Sequence, residues 1–352
     1  TAGVVDIRTK GADMANAGSV DAIVGSRGHL ETSAEIGGTT GKLQYFVTGS
    51  WLRNRIGVEN PTPAVDALHD DTRQGKGFAY LSYLLNDRSR VSLMLASATS
   101  RFQIPNVPGE TPSFPLAGTT PPVSTELDAN QRERNNFQVL TLQSSLDDAT
   151  DYQLSVFNRS SSVHYLPDPI GDLTYNGVAA DVQRRNVASG LQFDLSRVLD
   201  PQHTLRAGLY LQRERGSVTS SSTVFPADAD GNPTSDVPLT IADGSRIGGH
   251  LVGVYLQDEW QPTKALTVNY GLRYDRVSTV VDEAQLSPRL GVVYQLGEST
   301  RVHAGYARYF TPPPTEKIDT TSVAAFLGTT NALPSDANTA VRSERSNYFD
   351  AG

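Results

Sequence analysis

The 352-residue chain contains no cysteine. That excludes disulfides, thiolate metal sites and a cysteine nucleophile, and it fits an oxidising compartment where stray thiols are a hazard. No run of about 18 apolar residues occurs either, so no transmembrane helix is expected. Basic clusters are absent and the formal net charge is −8, which argues against a nucleic-acid partner. No signal peptide opens the chain; if the protein is exported, Thr1 is expected not to be its biological start.

What is present is alternation. In Leu266–Asp275, one face carries Leu266, Val268, Tyr270, Leu272 and Tyr274, and the other carries Thr267, Asn269, Gly271, Arg273 and Asp275. The next segment sets Leu286, Pro288, Leu290, Val292 and Tyr294 against Gln285, Ser287, Arg289, Gly291 and Val293. Period two over about ten residues marks a strand with one oily and one wet face, and about ten residues is what a tilted strand needs to cross a bilayer. A hydrophobic content of 38% suits such a wall, because half of each strand faces water. Within Val252–Pro314 the connections alternate: Pro262–Ala265 and Gly297–Thr300 are tight, whereas Ser278–Ala284 and Thr311–Ala340 are expected to be longer polar loops.

The same rule runs through the chain. Strands are expected at Ser19–Gly25, Leu30–Gly37, Leu43–Trp51, Gly77–Leu85, Arg90–Ala98, Phe137–Leu146, Tyr152–Arg159, Asn186–Arg197, Gln202–Arg213 and Arg342–Gly352. Loops are expected at Arg53–Arg73 (with Asn60-Pro61-Thr62-Pro63), Phe102–Arg132, Tyr165–Asp181 and Gly216–Ile247. The count comes to roughly thirteen strands and part of another. The fold class expected is all-β, an antiparallel transmembrane β-barrel, incomplete, with about 13–14 strands of a larger one. Hydrocarbon offers no hydrogen bonds, so such a sheet closes on itself, with apolar side chains outward and charges such as Arg206, Arg273, Asp275 and Arg289 inward. Trp51, Trp260, Tyr274, Tyr309 and Phe310 stand near strand ends, where an interfacial girdle is expected. Pro312-Pro313-Pro314 cannot donate ladder hydrogen bonds and should end its strand.

YLQDEW, LTVNYGLRYD, LSPRLG and HAGYARYFTPPP, in that order, resemble the barrel of TonB-dependent outer-membrane receptors. LPDPIGDLTYNGVAA and SERSNYFDAG are similar to the same family, and TAGVVDIRTK resembles the last strand of its plug, with Asp6 where the family often has Asn. The resemblance implies an end of the plug domain at 1–11 and a partial barrel at 12–352. Receptors of this class close at 22 strands around a plugged lumen, so the chain is expected to be a fragment. Its two open edges, Ser19–Gly25 and Arg342–Gly352, should prevent it from forming a working pore alone.

Candidate chemistry is sparse. His69 beside Asp70 and Asp71 has metal-ligating residue types, but a solvated loop accounts for them. Asp228, Asp230 and Asn232 resemble the start of a calcium loop, with Gly231 too early and no Glu at the right distance. His164 with Ser160, Ser161 and Ser162 lacks any nucleophile motif. Gly37-Gly38-Thr39-Thr40-Gly41 lacks the lysine of a phosphate loop and reads as a hairpin turn. No catalytic, cofactor-binding or metal site is assigned, substrate-binding residues stay unidentified, and no enzyme is expected.

The resemblance implies a receptor in the outer membrane of a Gram-negative bacterium. It would take up a scarce extracellular solute, a ferric siderophore or similar, driven by the TonB-ExbB-ExbD complex through a segment before the plug. A passive porin or barrel adhesin is the alternative, and a soluble propeller or lectin is a third reading.

Overall fold

The computed structural model describes residues 16–57, 68–315, 323–332 and 341–352. The plug-like stretch at 1–11 and the Asn60–Pro63 run lie outside the described residues. Fourteen strands follow one another: β1 Ala17–Val24, β2 Leu30–Thr40, β3 Leu43–Asn54, β4 Thr72–Asn86, β5 Ser89–Gln103, β6 Asn130–Asp147 and β7 Thr150–Leu166, then β8 Val178–Asp200, β9 His203–Val224, β10 Leu239–Thr263, β11 Leu266–Ser278, β12 Asp282–Gln295, β13 Arg301–Thr311 and β14 Glu344–Ala351. They form one antiparallel sheet in sequence order, so among the described residues every strand pairs only with its chain neighbours and β1 and β14 stand at the two ends of the sheet. One short helix, α1, spans Gly171–Asn176.

The register explains the alternation. Leu43, Tyr83, Val91, Leu142, Leu154, Phe193, Leu209, Val254, Tyr274 and Leu286 stand side by side from β3 to β12. One residue away, on the opposite face, stand Gln44, Ser82, Ser92, Thr141, Ser155, Gln192, Tyr210, Gly253, Asp275 and Gln285. A slip of one residue in any pair would exchange the two sets, so the pattern pins the register. The polar face is the sheltered one: Asp275, Gln285 and Ser287 are 6%, 5% and 2% exposed, against 52% for Leu272 and 47% for Leu290. This is the inverse of a water-soluble sandwich and the arrangement of a barrel wall.

The expected faces hold for Arg206, Arg273, Asp275 and Arg289, all on the polar side. Among the girdle residues Tyr309 does not fit. It shares the inner face with Arg289, whose guanidinium lies 5.8 Å from its ring centre. Tyr309 is one residue out of step with Phe310, and parity alone separates them. One carboxylate breaks the rule from the other side. Asp258 shares the outward face with Val254 and Leu256, yet it is covered: His203 Nδ1 lies 2.7 Å from it and the Tyr270 hydroxyl donates to it at 3.0 Å.

The tight turns share one chemistry. Asn86, Asp147 and Asp200 each accept, through the side chain, the backbone N–H two residues on. These Asx turns carry a register shift beside them and reverse the chain in two residues. Gly41, with φ +58, does the same between β2 and β3; it is a hairpin turn, as expected.

Two expected loops are corrected. Gly216–Ile247 is mostly strand: β9 continues to Val224 and β10 starts at Leu239, paired throughout. The run Gly216-Ser217-Val218-Thr219-Ser220-Ser221-Ser222-Thr223 has no oily face, so alternation is silent there, but its backbone still finds a partner. Ser278–Ala284 shrinks to residues 279–281. At 25 residues, β10 is more than twice the 9–11 that cross a bilayer.

The buried apolar cluster lies where the loops meet the end of β8. Leu173, Ala179 and Phe225 are buried together, flanked by Phe114 and Leu116. Phe114 and Phe225 stack at 6.2 Å. Residues 323–332 join them: the N–H of Thr330 donates to Phe225 O, its hydroxyl bonds Gly177 O, and Ala227 N–H donates to Gly328 O. Segments far apart in sequence are thereby tied into one knot over the long-loop end of the wall.

Candidate functional site

The inner face is a continuous polar surface. On its lower part Tyr255 donates to Asp194 at 2.8 Å across β9. That reach needs Gly208 beneath it, because a Cβ there would fall 2.1 Å from Tyr255 Cε1. Arg273 and Asp275 form an ion pair at 2.8 Å, and Arg206 and Glu259 another at 3.0 Å. These four inward charges are thus matched in pairs, which lowers the cost of holding them on the wall.

An apolar patch interrupts this face. Phe46, Tyr80, Met94, Val139 and Phe157 stand in one inward row on β3–β7. The Phe157 ring lies over Gly190, where a Cβ would come within 2.4 Å of it, and it stacks with Tyr210 at 5.7 Å.

Toward the long loops the wall gathers around Glu214 on β9. Asn186 donates to Glu214 Oε1 at 2.6 Å, Gln212 to Oε2 at 3.3 Å, and Arg159 Nη2 lies 3.8 Å from Oε1. Thr315 donates its hydroxyl to Glu214 Oε2 at 3.2 Å. Thr315 directly follows Pro312-Pro313-Pro314, which ends β13 as expected. The proline run projects the chain from β13 across to β9, four strands away. Glu133, Asn135, Arg184 and Ser245 line the hollow around this crossing. The carboxylate is mostly enclosed yet fully hydrogen-bonded, so it holds a loop against the wall while amide and hydroxyl groups remain around it.

The residues singled out in the sequence are dispersed. His69 contacts Ile104 O through Nδ1 and Asp128 through Nε2, both at 2.8 Å. Asp71 meets Arg53 and Arg73 instead. The Asn130 hydrogen bond first, then that of His69, hold the Asp128 carboxyl below the ordinary aspartate value. Asp228 closes its own loop by accepting the N–H groups of Asp230 and Asn232, and those backbone bonds lower its pKa. His164 lies 2.7 Å from Asp181. It shares the outward face with Ser160 and Ser162, whereas Ser161 points inward. Among the described residues no group of three His, Asp or Glu side chains is arranged to hold a metal. Burial pushes the Asp172 carboxyl on α1 up, against a hydrogen bond from Tyr165. Glu214, Asn186 and Thr315 had no signal in the sequence, since the pairing of 214 with 315 depends on the loop crossing.

A family model described as "TonB dependent receptor-like, beta-barrel" matches residues 60–352. The ferric yersiniabactin uptake receptor FyuA of Yersinia pestis superposes with a TM-score of 0.63 at 16% identity, over 89% of this chain and 50% of that one. FpvA of P. aeruginosa, bound to heterologous pyoverdines, gives 0.65 at 15%, over 95% and 45%. The siderophore receptor PiuA of Acinetobacter baumannii gives 0.63 at 14%, over 95% and 54%. At such identities the likeness is one of fold, and the chain spans about half the length of these structures. No curated protein matches by sequence.

Proposed function

The chain belongs to the family of TonB-dependent receptor-like β-barrels, and from that premise we infer that it forms the wall of an outer-membrane receptor for a scarce solute of the ferric-siderophore kind. The carrying observation is the crossing at Glu214, where a loop from β13 is pinned to β9 at the mouth of a polar inner wall. Such a strut fixes a loop over the inner face, which suits a receptor that must hold its solute before admitting it. The apolar inner row from Phe46 to Phe157 offers a filling domain something to pack on, which supports reading residues 1–11 as the end of a plug. Movement of that plug would be driven by TonB with ExbB and ExbD. FyuA, FpvA and PiuA are siderophore receptors by name or bound ligand, and this is why that solute class is preferred.

The test is uptake. The full-length receptor is expressed in cells lacking their own siderophore receptors, and iron entry from a panel of ferric siderophores is followed. Entry that stops on loss of TonB or on addition of a protonophore is the expected result, with Glu214→Ala reducing it. Solute-independent conductance without TonB would make the wall a passive porin and overturn the reading.

A further inference from the structure

The surroundings of His69 fix the charge of its ring. The side chain is 13% exposed. Nδ1 lies 2.8 Å from the Ile104 carbonyl oxygen, and Nε2 lies 2.8 Å from Asp128 Oδ1. A carbonyl oxygen can only accept, and so can an ionised carboxylate. Asp128 Oδ1 also accepts the Asn130 amide at 2.8 Å. That bond first, then that of His69, keep the carboxyl below the ordinary aspartate value, so it is ionised near neutral pH. Both ring nitrogens must therefore donate, which only an imidazolium does. In either neutral tautomer one ring lone pair would face an acceptor at hydrogen-bond distance, with little water to intervene. Among the described residues no other histidine has acceptors at both ring nitrogens.

The ring is also where three segments meet. His69 stands just before β4 at φ +58, a left-handed conformation that among the described non-glycine residues only Arg27 shares. A residue with a Cβ needs contacts to hold it there, and the ring supplies two. Around it the Asn106 N–H donates to Leu68 O at 3.1 Å, the Ile104 N–H to Ala129 O at 2.9 Å and the Asn106 side chain to Leu127 O at 3.0 Å. These bonds are neutral on both sides. They close the root of the loop at 104–129, whose Phe114 and Leu116 reach the Phe225 cluster. The charged groups nearby come from every side. Asp70 and Asp71 belong to the segment of His69, and Arg53, Arg73 and Arg101 to β3, β4 and β5. Asp71 is held by Arg53 and Arg73. Arg101 acts on Asp128 through its field, and Asp168 accepts the Asp128 N–H at 3.0 Å. Asp128 is the carboxylate that the ring itself meets.

We propose that His69 is a proton-operated latch, which in its charged form fastens the root of the 104–129 loop to the start of β4 and on losing a proton lets that root loosen. Closing the latch binds a proton, so closure is favoured as the pH falls and lost as it rises. The acid limit is set by Asp128, which must stay ionised to accept. Between these limits the loop is held most tightly. The latch concerns the loops alone and stands whether the wall serves a receptor or a passive pore.

Hydrogen exchange of the full-length protein tests this, with each amide rate divided by its intrinsic rate at the same pH. The Ile104 and Asn106 amides should lose protection by about tenfold between about pH 5.5 and about pH 8.5. The amides of Leu191 and Leu209, inside the β8–β9 ladder, should keep theirs. His69→Gln carries no charge and should lack the step, with low protection at both pH values. Asp128→Asn offers the neutral ring a donor at Nε2, so it should lack the step and stay protected at the higher pH. Equal wild-type protection of Ile104 and Asn106 at both pH values overturns the latch, and that comparison needs no variant. A step that persists in His69→Gln, or one shared by Leu191 and Leu209, overturns it as well.

Discussion

Replacing Phe225 with alanine should loosen the loops and leave the wall intact. The ring is fully buried, stacked on Phe114 and seated on Leu173 and Ala179. Truncation of a buried phenylalanine costs about 3–5 kcal/mol. That knot is built from loop residues and α1 with Ala179 at the loop end of β8, whereas the rest of the sheet is held by its own ladder, so the loss falls on a local opening. At 1.4 kcal/mol per tenfold, the open population rises by roughly 10²- to 4 × 10³-fold. Hydrogen exchange reads this directly. The amides of Ser113 and Phe114, both donating to Thr174 O at 3.0 Å, and of Ala227, donating to Gly328 O at 2.8 Å, should exchange faster by that factor. Amides in the β8–β9 ladder far from Ala179 and Val224, such as those of Leu191 and Leu209, should not change. If the three loop amides keep their wild-type rates, the loops are not a cooperative unit. If the strands accelerate equally, the knot is not separable from the wall.

Three further outcomes follow from other parts of the structure. Leu140→Arg on the outward face should lower stability in vesicles by about 2–4 kcal/mol, while the inward Gln192→Arg costs little; equal losses in denaturant titrations would mean the faces are assigned wrongly. Gly208→Ala forces Tyr255 aside and breaks its bond to Asp194, costing about 1–3 kcal/mol as overpacking does; Gly77→Ala, with nothing within 4 Å, is the control in the same unfolding assay. Asp128, with its folded pKa depressed, stabilises its loop above the unfolded aspartate value near 3.9 and loses that contribution as pH falls through the folded one. Proteolytic nicking within 104–129 should therefore rise below about pH 4, and Asp128→Asn should abolish the step.

The strands were legible where one face had to be oily. Leu266–Asp275 and Leu286–Tyr294 announce their parity because lipid selects every second side chain. Ser217–Thr223 does not, since that length has no oily face, and only backbone pairing with β8 and β10 makes it strand. Tyr309 shows the limit of reading aromatics by position along a strand: the neighbouring Phe310 points the other way. Nothing in YLQDEW marks Asp258 as unusual, and its place on the oily side is tolerable because His203 and Tyr270 cover it. The Glu214 site was invisible because its partners, Asn186 and Thr315, come from other strands and loops. Phe225 did leave a trace, an isolated Val224-Phe225-Pro226 apolar group in a serine- and threonine-rich stretch, which marks a loop with something to bury.

The strand order has a consequence for how such a wall is made and altered. Because the backbone ladders among the described strands run only between a strand and its predecessor or successor, each hairpin needs only the previous one as a template. The long-distance searches that slow most β-proteins are avoided within the sheet. Adding or removing one hairpin would change the circumference without rewiring any other pair, so diameter is a quantity that evolution can adjust in whole steps.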